Sequence, residues 1–160
     1  MNRKGQTTVE FALTAFILFA VLFALIDFAV MFFVNLTMQH AVREGARYAI
    51  TGQGGKNGEQ RRKALVDKIV ACSYGLYEKN ANPHKEPEVS VVPLSLLTGT
   101  TFDNYTGTPV QDTGRPNELI IVKLAYSWPL MTPILAPFFQ DGQYSFVVRA
   151  TMRHEPWEEK

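Results

Sequence analysis

Few residues in this chain of 160 have the types and spacing that enzyme chemistry needs. Its three histidines, His40, His84 and His154, show no paired spacing of the kind that metal ligands adopt. Cys72 is the only cysteine, which excludes an intramolecular disulfide and a cysteine-based zinc site. Ser73 follows it without the glycine-flanked turn of a nucleophilic serine. We therefore expect no catalytic residue, no metal and no cofactor, and a protein that is not an enzyme.

Two acidic residues stand out because they lie in or beside a long apolar run. Between Phe11 and Val34 only Thr14 and Asp27 interrupt the apolar residues, and Glu10 directly precedes them. At about 1.5 Å of rise per residue, a helix of this length spans the roughly 30 Å hydrocarbon core of a bilayer. We expect a transmembrane helix in which Asp27 serves assembly, since an intramembrane acid is by default functional. No partner for Asp27 is identifiable in the chain, so we expect it on another subunit or in a polar defect.

Glu10 has two interpretations. In the first, its carboxylate reaches the lipid headgroup region, which costs little at a helix end. The second requires a cut between Gly5 and Gln6, which gives Gln6 a free α-amine that is mostly protonated at neutral pH, given a reference pKa of about 7.7–8.0. In a bundle of offset helices, Glu10 of one subunit then pairs with this amine of its neighbour and sets the register.

The helical pattern continues from Asn35 to Ile50 beyond the apolar run. It does so without an A-x-A-like site, which counts against removal of the run as a secretory signal peptide. Ala41, Gly45 and Ala49 are spaced by four and share one helix face. We expect this stripe of small residues to let another helix or a sheet pack closely.

A second helix is predicted to start near residues 57–60, after the glycine-rich stretch 51–58. Its apolar residues fall at helical spacing on one face, and Gly75 is a candidate terminator. That face consists of Leu65, Ile69, Cys72 and Leu76. Arg61, Arg62 and Lys63 occupy the first turns, and a solvated cluster is the default interpretation of these charges.

Three strands are predicted in the remainder, most simply antiparallel. They cover Glu88–Leu94, Leu119–Trp128 and Tyr144–Arg153. A polar linker at Asn80–Pro87 precedes the first strand, and a long loop at Ser95–Pro116 separates the first two. The last strand alternates apolar and polar residues, which is typical of a sheet with one face on a core. We expect the apolar faces of the two helices to cover these strands. The fold class is thus α+β.

The formal net charge of +1 argues against a dedicated nucleic-acid binder, which normally carries a basic face. Arg43 and Arg47, beyond the apolar run, match the basic charge of Arg3 and Lys4 before it. Charge bias alone therefore does not fix the orientation in a membrane.

Three short stretches resemble a known family. RKGQTTVEF at residues 3–11 resembles a class III prepilin signal, with basic residues, then glycine, and glutamate at the fifth mature position. IDF at 26–28, followed by REGARYA at 43–49, resembles the TadE-like pseudopilins of the tight-adherence (Flp, type IVc) pilus system. ATMR at 150–153 is similar to the last strand of that family.

The resemblance implies a minor pilin with a pilin-like fold, which primes or tips a pilus that supports adhesion, biofilm formation or secretion. Residues 1–5 would be the leader, 6–50 the transmembrane and assembly helix, and 51–160 a periplasmic domain. A prepilin peptidase would cut after Gly5. Other minor and major pilins, membrane lipid and an inner-membrane assembly platform with its ATPase would be the partners. The chain would cross the bacterial inner membrane once, or lie in a surface pilus after assembly.

Two alternatives stand beside this interpretation. One is an uncleaved, single-span envelope protein whose outer domain binds a partner. The other is a secreted enzyme behind a signal peptide, which no arrangement of residues in the sequence supports.

Overall fold

A computed structural model of the chain describes residues 3–55, 57–77, 87–92, 113–132 and 135–156. It contains a long helix, a second helix and three strands, with two short 3-10 turns before the last strand. Their bounds are α1 Arg3–Ile50, α2 Gly58–Cys72, β1 Glu88–Val92, β2 Leu119–Pro129 and β3 Gln143–Arg153. The predicted α+β fold and its element order are confirmed. The predicted linker Asn80–Pro87, except Pro87, and most of the loop Ser95–Pro116 lie outside the described residues.

Helix α1 ends where the glycine-rich stretch begins. The Thr51 hydroxyl donates a hydrogen bond to the carbonyl of Tyr48 at 2.8 Å, and Gly52 takes a φ of 68°. A positive φ of this size favours glycine, which has no Cβ to clash with its own backbone. The sequence therefore stops the helix after Ile50.

Helix α2 ends in a similar way. The backbone N–H of Ser73 still donates to the carbonyl of Ile69 at 3.0 Å. Tyr74 and Gly75 then adopt positive φ values of 53° and 77°. A left-handed residue just after a helix is the commonest way in which helices terminate.

The sheet has the order β1-β2-β3, and β1 pairs antiparallel with β2 in a register that sets Val89 opposite Val122. Burial along β3 follows the predicted alternation: Val148 and Ala150 are buried, whereas their neighbours on the opposite face are exposed. On β2, the Tyr126 hydroxyl donates to the carbonyl of Leu76 at 2.5 Å. Burial raises the pKa of this phenol to about 12.

The chain divides into two compact units. The first comprises Met1–Phe33 and Trp128–Tyr144, and the second comprises Val34–Ser127 and Ser145–Lys160. The core of the second unit draws side chains from both helices and from the sheet. These are Val34, Met38, Val42 and Ala46 of α1, Leu65 and Ile69 of α2, and Ile120, Val122 and Leu124 of β2. Their burial in one unit is what helices packed on a sheet require.

Candidate functional site

The N-terminal part of α1 leaves its apolar side chains uncovered. No residue between Gly5 and Ile26 is buried, and Phe11, Phe16 and Leu18 are each more than half exposed. Among the described residues, Gly5–Ile50 is a helix long and apolar enough to cross a membrane, judged by length and composition. A helix that is apolar all round needs lipid or other helices about it. This surface is the first part of the candidate site.

Glu10 lies at the start of that surface and is exposed. The side-chain amide of Gln6, one turn earlier on the same face, donates a hydrogen bond to Oε1 of Glu10 at 3.3 Å. The Thr14 hydroxyl donates to the backbone carbonyl of Glu10 at 2.9 Å, so it does not occupy the carboxylate. The Glu10 carboxylate therefore remains accessible to a further donor.

Asp27 interrupts the exposed helix with a buried carboxylate, 2% exposed. Its Oδ1 accepts the backbone N–H of Met131 at 3.2 Å, and its Oδ2 accepts the backbone N–H of Thr132 at 3.1 Å. The Thr132 hydroxyl also donates to Oδ2. These residues belong to the first unit, so one carboxylate fastens a distant segment to α1. Each backbone donor would otherwise cost about 1–3 kcal/mol if buried without a partner.

The expectation that the partner of Asp27 lies on another subunit or in a polar defect is wrong. Its three donors belong to Met131 and Thr132, more than 100 residues along the same chain. Two of them are backbone N–H groups, which every residue except proline carries. The residue types in the sequence therefore do not predict these donors. The sequence marked Asp27 as unusual but gave no sign of its partner.

The small-residue stripe is fully buried. Ala41 and Ala49 have no exposed surface, and Gly45 is also buried. Gly45 lies against Ile69 and Leu65 of α2. Val42 and Ala46 are likewise buried and widen the stripe into a broad packing face. In the second unit, therefore, this face of α1 is occupied by the chain itself.

A buried polar cluster in the second unit joins three distant parts of the chain. Arg61, 7% exposed, donates to the Thr113 hydroxyl at 3.2 Å and to the Gly114 carbonyl at 3.3 Å. The Nε2 atom of His154 is hydrogen-bonded to the Thr113 carbonyl at 2.6 Å. The backbone N–H of His154 also donates to the Glu118 carbonyl at 2.9 Å. The cluster ties the loop before β2 to α2 and to the end of β3.

The default interpretation of Arg61 as a solvated charge is wrong. A signal was present in the sequence, because Arg61 precedes Leu65 and Ile69 at four-residue intervals and so shares their buried face. Lys63, two positions later, is exposed as expected. Nothing in the sequence singled out Thr113.

Within the described residues, no group of three or more His, Cys, Asp or Glu side chains comes together to hold a metal ion. Cys72 is a free, half-buried thiol, and His84 lies outside the described residues. On α1 the described residues offer an exposed apolar surface, the exposed carboxylate of Glu10 and the buried carboxylate of Asp27.

Comparison with known proteins bears on the same helix. Residues 5–47 match the family model described as TadE-like protein. Over this range the chain is similar to TadE-like proteins. The match contains Glu10, Asp27, Ala41 and Gly45, ends before Ala49, and suggests involvement in the Tad pilus system. No curated protein and no solved structure gives a significant match to the chain. The matched region thus lies within α1, and α2 and the sheet lie outside it.

Proposed function

We propose that this chain is a minor pseudopilin of a tight-adherence pilus system, a non-enzymatic subunit that primes the pilus or lies at its tip. The observation that supports this most is the uncovered apolar surface of α1 from Gly5 to Ile26. Such a surface is stable in lipid or among other apolar helices. A subunit that leaves the membrane to join a pilus needs a helix suited to both surroundings, and the TadE-like match covers this helix.

Processing is proposed to occur between Gly5 and Gln6, by a prepilin peptidase. A Cβ built on Gly5 would meet nothing within 4 Å, so no described atom of the chain requires glycine there. Glycine within a helix costs up to about 1 kcal/mol relative to alanine. Recognition by a peptidase supplies a reason for this residue that packing does not.

Glu10 is proposed to act in assembly once the leader is removed. The new α-amine of Gln6 would be positively charged at neutral pH in most molecules. Glu10 lies one turn along the same face and is exposed, so it is placed to pair with the amine of a neighbouring, axially offset subunit. Neither charge is easily tolerated alone among apolar helices, so the pair would fix the register. Asp27 contributes to assembly indirectly, because it holds residues 131–132 on α1.

The proposed location is the bacterial inner membrane, crossed once by α1, with residues 51–160 on the periplasmic side until the subunit enters a pilus. The proposed partners are the peptidase, the other minor and major pilins, membrane lipid, and the assembly platform with its ATPase. No nucleic acid is among them, in keeping with a net charge of +1.

The intact mass of the membrane-extracted protein tests the proposal against an uncleaved envelope protein. With the cognate peptidase co-expressed, we expect loss of Met1–Gly5 and a chain that begins at Gln6. Gly5→Ala should keep the full-length mass. Leu18→Ala, at an exposed apolar position of α1 outside residues 3–11, is the matched control and should be processed normally. Retention of Met1–Gly5 in the parent protein would favour the uncleaved envelope protein.

The role of Glu10 is tested separately, by the amount of this subunit recovered in sheared pili. Glu10→Gln keeps an acceptor for Gln6 and removes the charge, and should be cleaved but poorly incorporated. Glu10→Asp keeps the charge on a shorter side chain and should restore part of the incorporation. Equal incorporation of all three proteins would leave Glu10 as an ordinary residue of the lipid headgroup region.

A further inference from the structure

The segment Trp128–Tyr144, which runs from the end of β2 to the start of β3, is unusually apolar. It has one charged residue, Asp141, and no lysine or arginine. Among its described residues, Met131 is 71% exposed and Phe138 is 81% exposed. Contiguous exposed apolar surface marks a place that meets a partner or a membrane, and both of these exposed side chains lie in this one segment.

Hydrogen bonds order the described parts of this segment, in which Met131 and Phe138 are exposed. The backbone N–H of Leu130 donates to the carbonyl of Gly142 at 3.1 Å, which joins the beginning of the segment to its end. A 3-10 turn forms over Ala136–Phe138, and the Phe139 and Tyr144 rings meet edge to face with centroids 6.3 Å apart. Phe138 is therefore exposed on a turn that backbone hydrogen bonds hold in place.

Asp27 fixes the depth of this segment relative to α1. Glu10 and Asp27 lie 17 residues apart, about 25 Å along a helix that rises about 1.5 Å per residue. When α1 crosses a membrane with Glu10 at one edge of a hydrocarbon core of about 30 Å, Asp27 lies near the opposite edge, still inside it. Met131 and Thr132 bind Asp27 directly and share that depth.

The contacts at Asp27 suit such surroundings. Hydrocarbon supplies no acceptor for a backbone N–H group, and a lone carboxylate is costly there. Here the carboxylate and the N–H groups of Met131 and Thr132 satisfy one another. Apolar side chains dominate the exposed surface of α1 on either side of Asp27. They are Leu25, Ile26, Phe28, Phe32 and Phe33, each at least 42% exposed.

The two ends of the segment carry a second indication of depth. It begins at Trp128 and ends at Tyr144. Tryptophan and tyrosine are enriched where membrane meets water, because each ring is apolar with a polar atom. The ends are thus suited to the headgroup level and the middle to the acyl chains.

We propose that Trp128–Tyr144, held on α1 by Asp27, inserts into the membrane leaflet opposite Glu10, with Met131 and Phe138 against lipid acyl chains. The chain then contacts the bilayer through a helix and a loop together. The inference rests on α1 crossing the membrane and is independent of cleavage and of pilus assembly. Extraction into a pilus would have to remove the loop from lipid as well as the helix.

Depth-dependent quenching tests this in the full chain, reconstituted in phosphatidylcholine and phosphatidylglycerol vesicles. In a Cys72→Ser background, an environment-sensitive fluorophore is attached to Phe138→Cys or Met131→Cys. Lipids with a nitroxide high on the acyl chain are the quenchers. Val147→Cys, 64% exposed on β3, is the matched exposed apolar control, and Leu18→Cys reports insertion of α1.

We expect quenching at positions 131 and 138 to exceed that at 147 several-fold, and to persist as the ratio of protein to lipid is lowered. Asp27→Ala removes both carboxylate oxygens that accept hydrogen bonds from Met131 and Thr132. It should reduce quenching at 131 and 138 toward the level at 147, while the fluorophore at position 18 stays quenched. Weak quenching at 131 and 138 with strong quenching at 18 would overturn the inference and leave the membrane helix intact. If the fluorophores at 131 and 138 are buried only at a high ratio of protein to lipid, a second copy of the chain covers this surface. That result would equally overturn the inference. Without quenching at 18, both the membrane placement and the inference fail.

Discussion

Gly45 of α1 lies so close to Ile69 of α2 that a Cβ built on the glycine would be 2.5 Å from Cγ1 of Ile69. The same Cβ would lie 3.3 Å from the backbone carbonyl oxygen of Leu65. The absence of a side chain at position 45 thus sets the distance between the two helices at this point. The close contact also explains why α1 contains glycine at position 45, although glycine is unfavourable within a helix.

Gly45→Ala is expected to destabilise the protein by about 1–2 kcal/mol. Overpacking costs about 1–3 kcal/mol, and the better helix propensity of alanine returns up to about 1 kcal/mol. Thermal unfolding of the full chain in detergent, followed by circular dichroism, measures the difference. Ile69→Ala provides the control, because it removes Cγ1 at its own cost of about 2–5 kcal/mol. In that background Gly45→Ala should be neutral or stabilising, and an equal cost in both backgrounds would refute the close contact as its cause.

Arg61→Met is expected to destabilise the second unit by about 1–3 kcal/mol, because it leaves the buried Thr113 hydroxyl and Gly114 carbonyl without this donor. Arg61→Lys should recover little of the loss, since an ammonium group lacks the planar fork of a guanidinium. Lys63→Ala, at an exposed position on the same helix, should change stability by less than about 0.5 kcal/mol. Equal unfolding temperatures for Arg61→Met and Lys63→Ala would show that the buried cluster contributes nothing.

The raised pKa of Tyr126 predicts a loss of stability at high pH. Its ordinary value is 10.0 and its folded-state value about 12, so between these the folded state keeps a proton that the unfolded state has lost. The free energy of unfolding therefore falls from pH 10 to pH 12, and this contribution is fully present below pH 10. Tyr126→Phe should reduce that fall, measured by denaturation at each pH. Tyr74→Phe, 80% exposed, should retain the parent dependence. An unchanged slope in Tyr126→Phe would contradict the assignment.

A truncated chain that begins at Thr51 is expected to aggregate or to unfold without a cooperative transition. It lacks the buried residues that α1 contributes to the second unit, among them Met38, Val42 and Ala46. A chain that begins at Val34 keeps them and should unfold cooperatively on heating. Cooperative unfolding of the shorter chain, with the same midpoint, would show that α1 is not needed to cover the sheet.

Most of the fold could be predicted because its signals are local. The apolar run, the glycines after Ile50 and at Gly75, and the alternation along β3 each act within a few residues. Backbone sterics and the periods of helix and strand convert such patterns directly into elements. The division into leader, helix and periplasmic domain stays a prediction, because it concerns cleavage and location rather than packing.

Along α1, the sequence by itself determined the exposed apolar surface, the place of Glu10 and the buried stripe through Gly45. Only the tertiary structure decided what Asp27 binds, and that Arg61, Thr113 and His154 form one cluster. Those contacts join residues 104, 52 and 41 positions apart. Many of the acceptors and donors involved are backbone groups, which carry no residue identity. Their pairing depends on the path of the folded chain, which a local pattern does not contain.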